Sequence, residues 1–181
     1  QVLIEVLEPP PRLVICGAGD DAIPLAELAG RLGWAVEVVD DRPARLVPGR
    51  FSGAAVAVVA DPAAAAGRVA VDPATAVVVM THHLGRDRGY VGSFLSAGAA
   101  YLGVLGPRAR LERILADLGT TRSRAGVRGP VGLALGAEGA PEIAVAVVAE
   151  ILAVLNGNAG GPGQPGQDRW RASVAASRAP L

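Results

Sequence analysis

Four glycine-marked clusters carry the residues best suited to chemistry. Gly17-Ala18-Gly19-Asp20-Asp21-Ala22 reads as Gly-x-Gly-x-x-Ala between an apolar run and a helical pattern. In such a turn the first Gly permits a sharp reversal, and the second lets backbone N–H groups approach a phosphate. A small third residue then lets helix and strand pack closely. Asp40 follows about twenty residues on, at the end of the next apolar run, where a carboxylate takes both hydroxyls of a ribose. Gly17, Gly19, Ala22 and Asp40 are therefore candidate ligand contacts; the alternative is a packing turn that binds nothing. Asp20 and Asp21 complicate the first reading. They stand where the helix dipole and free N–H groups would receive a pyrophosphate, and they compete with it and repel it. Either the anion sits elsewhere, or a cation mediates, or the turn is empty.

The second cluster is Thr81-His82-His83, with Asp87 close behind. An imidazole here can hydrogen-bond a ligand, move a proton, or bind a metal together with a carboxylate. Adjacent side chains at a strand end point to opposite sides, so at most one His is expected in a site. The bland alternative is a capping Thr and two exposed histidines. The third cluster, Gly103-Val104-Leu105-Gly106-Pro107-Arg108-Ala109-Arg110, places two Arg in the first turn of a helix. The dipole disfavours cations there, so an anionic ligand or a partner carboxylate is expected; solvated surface arginines are the alternative. A phosphate contact by Arg108 is worth about 1.5–3 kcal/mol, so Arg108→Ala would weaken an anionic ligand about tenfold or more. The fourth is the glycine-rich run from Gly132 to Glu138.

Composition narrows the chemistry further. Seventeen basic residues balance seventeen acidic ones, and every base is Arg. The absence of Lys removes P-loop, Schiff-base and kinase chemistry. Zero net charge argues against a nucleic-acid or acidic-membrane partner held by bulk electrostatics. One cysteine, Cys16, builds no disulfide framework and reads as core. No apolar run reaches the ~18 residues of a membrane span, and no signal-peptide pattern opens the chain, so the cytoplasm is expected.

The elements that must position these clusters alternate regularly. Apolar, β-branched runs at 12–16, 35–39, 55–59, 76–80, 100–105 and 131–135 read as six strands. Helices are expected from an Asp20 N-cap to Gly33, at 63–69, 90–97 and 108–118, and over 141–155. Strands apolar along their whole length mean a parallel sheet covered on both faces. The fold class is therefore α/β, a Rossmann-like doubly wound sheet of order 3-2-1-4-5-6 with ligands at its carboxyl edge. This domain is expected over 12–156. Residues 1–11 read as a linker or a strand from a further N-terminal domain lost from this chain, and 157–181 as a disordered tail, with Trp170 its one docking candidate.

Five ordered segments resemble one family: P-P-P-R-L-V-I-C-G-A-G from Pro9, V-D-D-R-P from Val39, V-V-V-M-T-H from Val77, Y-L-G-V-L-G-P-R from Tyr101 and G-P-V-G-L-A-L-G-A-E from Gly129. Together they resemble the C-terminal Rossmann-like domain of the xanthine dehydrogenase accessory protein (XdhC/CoxI) family. The resemblance implies a chaperone that binds molybdenum cofactor and hands it to a xanthine dehydrogenase-type molybdo-hydroxylase, in concert with a cysteine desulfurase. It also implies an N-terminal domain carrying a cysteine motif, and a homodimer. The cofactor contacts it suggests are Gly17, Ala18, Gly19, Ala22, Asp40, Arg42, Thr81, His82, Gly106 and Arg108. Departures from the family pattern fall at the pocket: Asp20 where His is common, His83 and Leu84 after the Thr-His pair, Pro107 for Ser, and Ala134 for Asp. The alternative function is an NAD(P)-dependent oxidoreductase using the same glycine turn, although no Tyr-x-x-x-Lys pair is present.

Overall fold

A computed structural model describes residues 9–51, 55–122 and 126–157. Five strands, β1 (Arg12–Cys16), β2 (Ala35–Asp40), β3 (Ala55–Val59), β4 (Thr75–Val79) and β5 (Tyr101–Val104), form one sheet of order β3-β2-β1-β4-β5. Every ladder is parallel. In β1, β2, β4 and β5 the side chains alternate between two buried layers, whereas β3, at the sheet edge, leaves Val56 and Val59 exposed. On one side Leu13, Ile15, Val36, Val38, Ala76 and Val78 pack under α1 (Ala22–Arg31) and the long helix α4 (Ala140–Leu155). On the other, Val14, Cys16, Val39, Val77 and Val79 lie under α2 (Leu84–Phe94) and α3 (Arg108–Asp117). This is the doubly wound α/β arrangement expected from the sequence, and its order reverses between β1 and β4.

The sixth strand is a correction. Among the described residues 131–135 form no strand. Val131 N donates to Val104 O, but the next N–H groups turn to α4: Gly132 N to Glu150 Oε2 at 2.7 Å and Leu133 N to Ala146 O at 3.1 Å. With its donors drawn to a helix, and Gly132 and Gly136 in the left-handed half of φ space, the segment cannot extend a ladder. The second helix also starts earlier than expected, at Leu84. Gly85, Gly89 and Gly92 hide its first turns from any propensity reading. His83, not Thr81, caps it, its Nδ1 accepting from Arg86 N. The segment expected as a helix at 63–69 is a 3-10 helix, Pro62–Arg68, capped by Asp61. The expected N-terminal strand, the tail and Trp170 lie outside the described residues.

Cys16 ends β1 fully buried. Burial pushes its thiol well up, and the charges of Asp87 and Asp40 add to that. A thiolate is the reactive form. A thiol reagent is therefore expected to label Cys16 only at the rate of domain opening, and rapid labelling of the folded protein would contradict its core placement.

Candidate functional site

β1 and β4 lie side by side at the switch point, and the chain leaves each of them through a tight turn. Gly17 N donates to Val39 O and Met80 N to Cys16 O, so the ends of three strands are tied together. Gly17 has φ +116, and a Cβ there would meet the Met80 carbonyl and Thr81 Cα at 3.0 Å. Glycine is required at this position on both counts. Ala18 and Ala22 are fully buried beneath the turn.

Asp40, the expected ribose ligand, is 1% exposed and already saturated. Its Oδ2 accepts from Ala18 N at 2.7 Å and Arg42 Nη2 at 2.8 Å. Its Oδ1 accepts from Arg42 N at 2.9 Å and Arg42 Nε at 2.8 Å. Burial alone would raise this carboxyl. The hydrogen bonds from the Arg42 side chain, Ala18 N and Arg42 N outweigh it and hold the pKa at about 2. Asp40 therefore clamps the glycine turn to β2, and it would have to give up Arg42 to take a ribose.

The two acidic residues after the turn do not cap α1. Asp21 occupies the N-cap position with no capping bond from its side chain, which corrects the expected Asp20 cap. Asp20 is drawn away by Arg50, whose Nη2 reaches Asp20 Oδ1 at 2.7 Å and also donates to Ala18 O. Asp21 folds back over Gly19, and its Oδ2 pairs with His82 Nε2 at 2.6 Å. His82 sits at φ 57, a left-handed conformation rare outside glycine.

The two histidines point into different clefts, as neighbours at a strand end should. His82 lines a cleft of about 490 Å³ with Gly19, Asp20, Asp21, Arg42, Arg45, Thr81, Leu105, Ala140 and Ile143. The lining combines Asp20 and Asp21 from the start of α1, Arg42 and Arg45 from the N-cap and end of the 3-10 turn Pro43–Arg45 after β2, and the apolar side chains of Leu105 and Ile143. Arg45 is exposed and makes no ion pair among the described residues. His83 lines a separate groove of about 590 Å³ with Asp41, Asp61 and Arg86. There Arg86 Nε is bound to both Asp41 oxygens at 2.8 and 3.0 Å.

Behind Thr81, Asp87 is fully buried. It accepts from Thr81 N and Thr81 Oγ1 through Oδ1, and from Arg110 Nε at 2.7 Å through Oδ2. Arg110 thus has the partner carboxylate that a cation at a helix N-terminus calls for. Its neighbour Arg108 is solvated instead, 70% exposed and paired with Glu112 one turn along. Of the residues picked out by sequence, Gly19, Arg42, Thr81 and His82 meet in the first cleft, with Gly17, Ala18, Ala22 and Asp40 beneath it. Gly106 and Arg108 lie outside its lining. Arg108→Ala is expected to change stability by no more than about 0.5 kcal/mol, the usual size of an exposed helical pair, as measured by urea denaturation. Sequence reasoning missed Arg45 and Arg50. The Arg42-x-x-Arg45 spacing on one short turn was a usable signal for the first, whereas nothing local marks Arg50. Among the described residues no group of three His, Cys, Asp or Glu is placed to hold a metal ion, and no helix is long and apolar enough to cross a membrane.

Comparison with known proteins gives this chain a family. The model of the XdhC Rossmann domain matches residues 13–151. The chain is 39% identical over 151 residues to a protein of Bacillus subtilis (strain 168) named as a probable xanthine dehydrogenase subunit, covering 83% of this chain and 45% of that protein. It is 33% identical over 165 residues to the uncharacterized protein YqeB of Escherichia coli (strain K12), covering 88% of this chain and 30% of the relative. A crystal structure of a xanthine dehydrogenase from Bacillus halodurans superposes with a TM-score of 0.74 at 31% identity, over 85% of this chain and 46% of that one. The chain thus spans less than half the length of each of these relatives. With a doubly wound sheet, a glycine turn clamped by Asp40 and a match over most of its length, this chain belongs to the XdhC Rossmann-domain family.

Proposed function

We propose that this domain is the cofactor-binding module of a xanthine dehydrogenase accessory protein. It holds the molybdenum cofactor, a pterin bearing a phosphate, on its way to a xanthine dehydrogenase-type molybdo-hydroxylase. The observation that carries this reading is the cleft at the carboxyl edge, lined by both arginines and carboxylates. Arg42 and Arg45 offer a seat for a phosphate. In the same cleft, the carboxylates of Asp20 and Asp21 can accept from the amino and ring N–H groups of a pterin. Leu105 and Ile143 supply apolar contact for the ring, and about 490 Å³ falls within the range of small-molecule sites. The cofactor brings its own sulfur ligands for the metal, so anion and ring contacts are what the protein must supply.

The nicotinamide alternative finds less support, because the ribose acceptor Asp40 is saturated and Asp21 covers Gly19. Titration of the purified chain with molybdenum cofactor, NAD(H) and NADP(H) tests the choice. Cofactor binding without nicotinamide binding is expected, whereas tight NADH binding with dehydrogenase turnover would overturn it. As partners we propose the client molybdo-hydroxylase, a cysteine desulfurase and a second copy of this chain, in the cytoplasm. Deleting residues 1–8 is expected to shift sedimentation toward monomer, and a full chain that is already monomeric at micromolar concentration would contradict the dimer.

A further inference from the structure

We propose that Asp21 is a specificity-determining residue that denies the glycine turn to pyrophosphate-bridged dinucleotides. In a dinucleotide-binding turn the second glycine leaves its face bare so that the pyrophosphate can lie against the backbone, at the positive end of the following helix. Here that face is taken. The Asp21 carboxylate lies against Gly19 so closely that a Cβ on Gly19 would collide with Oδ1, the one side chain beyond its chain neighbours within 4 Å among the described residues. The helix therefore presents a fixed negative charge and a filled volume where a phosphate would enter.

The surrounding residues hold the carboxylate in this seat and set it apart from an ordinary cap. His82 Nε2 grips Oδ2 at 2.6 Å, from a residue whose own backbone is in the left-handed region. Such outliers persist only where surrounding structure enforces them. Asp21 makes no capping bond to α1, so helix capping does not explain its position. Arg50 engages the neighbouring carboxylate of Asp20 at 2.7 Å while also donating to Ala18 O, so Asp20 has its own partner and Asp21 is the carboxylate seated on Gly19. The next contact a dinucleotide would make, at Asp40, is blocked as well, because its two oxygens are engaged by Ala18 and Arg42. A monophosphate held by Arg45 needs neither the bare face of Gly19 nor the Asp40 carboxylate. This exclusion depends only on the geometry of the turn and holds whether or not the cleft takes a pterin.

The test is calorimetric titration of inorganic pyrophosphate into the whole chain and its Asp21→Ala and Asp21→Asn variants, each first shown to be folded by thermal denaturation. Asp21→Ala frees both the volume and the charge and is expected to bind pyrophosphate at least tenfold tighter than the parent. Asp21→Asn removes the charge alone and should fall between the two. Adding Gly19→Val to Asp21→Ala refills the seat and is expected to cancel the gain, which ties the binding to this turn and not to Arg42 and Arg45. Equal affinity in the parent and both single variants would overturn the proposal. So would a gain in Asp21→Ala that survives Gly19→Val.

Discussion

Asp87→Ala is expected to cost about 3–5 kcal/mol, the usual penalty for removing one partner of a buried ion pair. The carboxylate is fully buried and joins β4, through Thr81, to α3, through Arg110. Without it the Arg110 guanidinium, only 22% exposed, keeps its charge with no counterion, and Thr81 N loses its acceptor. Against a total of about 5–15 kcal/mol for a typical domain, that is a large fraction. Replacing both partners, Asp87→Leu with Arg110→Met, should recover much of the loss, because the penalty comes from the stranded charge and not from the lost attraction. Chemical denaturation of Asp87→Leu, Arg110→Met and the double decides this. If the double is less stable than Asp87→Leu by the full cost of Arg110→Met, the two residues are not coupled. Loosening Thr81 also releases its neighbour His82, so the single variant should disturb the cleft as well as the fold.

The second large effect concerns Asp40. Hydrogen bonds hold its carboxyl at about 2 in the folded chain, below the ordinary aspartate value of 3.8 expected on unfolding. A group depressed on folding stabilises the native state above its unfolded pKa and loses that contribution as pH falls through the folded one. Asp40 should therefore contribute roughly 2 kcal/mol near neutrality, declining between about pH 4 and pH 2. Asp40→Asn is expected to remove most of this and to flatten the pH dependence in that window. It also leaves two Arg42 donors facing an amide, and it weakens the clamp on Ala18 N. Denaturation midpoints at pH 7 and pH 3 for parent and variant measure it directly. A parent and variant with the same pH slope would show that Asp40 does not carry the dependence.

The strands were readable because parallel strands buried on both faces must be short and largely apolar, as RLVIC, AVEVV and AVVVM are, with Arg12 and Glu37, the charged residues in these runs, paired to each other. The run at 131–135 has the same composition and fails as a strand. What decided it was the pull of Glu150 and Ala146 on its N–H groups from another element. The glycine turn and Asp40 were legible from spacing alone, yet their present roles were not. Those roles are set by Arg42, Arg50 and His82. The Asp20–Arg50 and Asp21–His82 partners stand 30 and 61 residues apart, beyond any local pattern. Arg108 and Arg110 show the same limit. Close together in the helix and alike in charge, one is solvated and the other half-buried against Asp87, according to which way the first turn of α3 faces.

The proposed seat of the cofactor phosphate is the arginine pair of the cleft, and Arg45 tests it most cleanly. This side chain is exposed and has no ion pair among the described residues, so Arg45→Ala leaves the fold's own ion pairs intact. A charge-assisted bond is worth about 1.5–3 kcal/mol, about one to two factors of ten in affinity. The measurement is the dissociation constant for molybdenum cofactor in the parent and in Arg45→Ala at equal thermal stability. A parent that binds and a variant weakened at least tenfold is the predicted result. Equal affinity in the two proteins, or no binding by the parent, would contradict it.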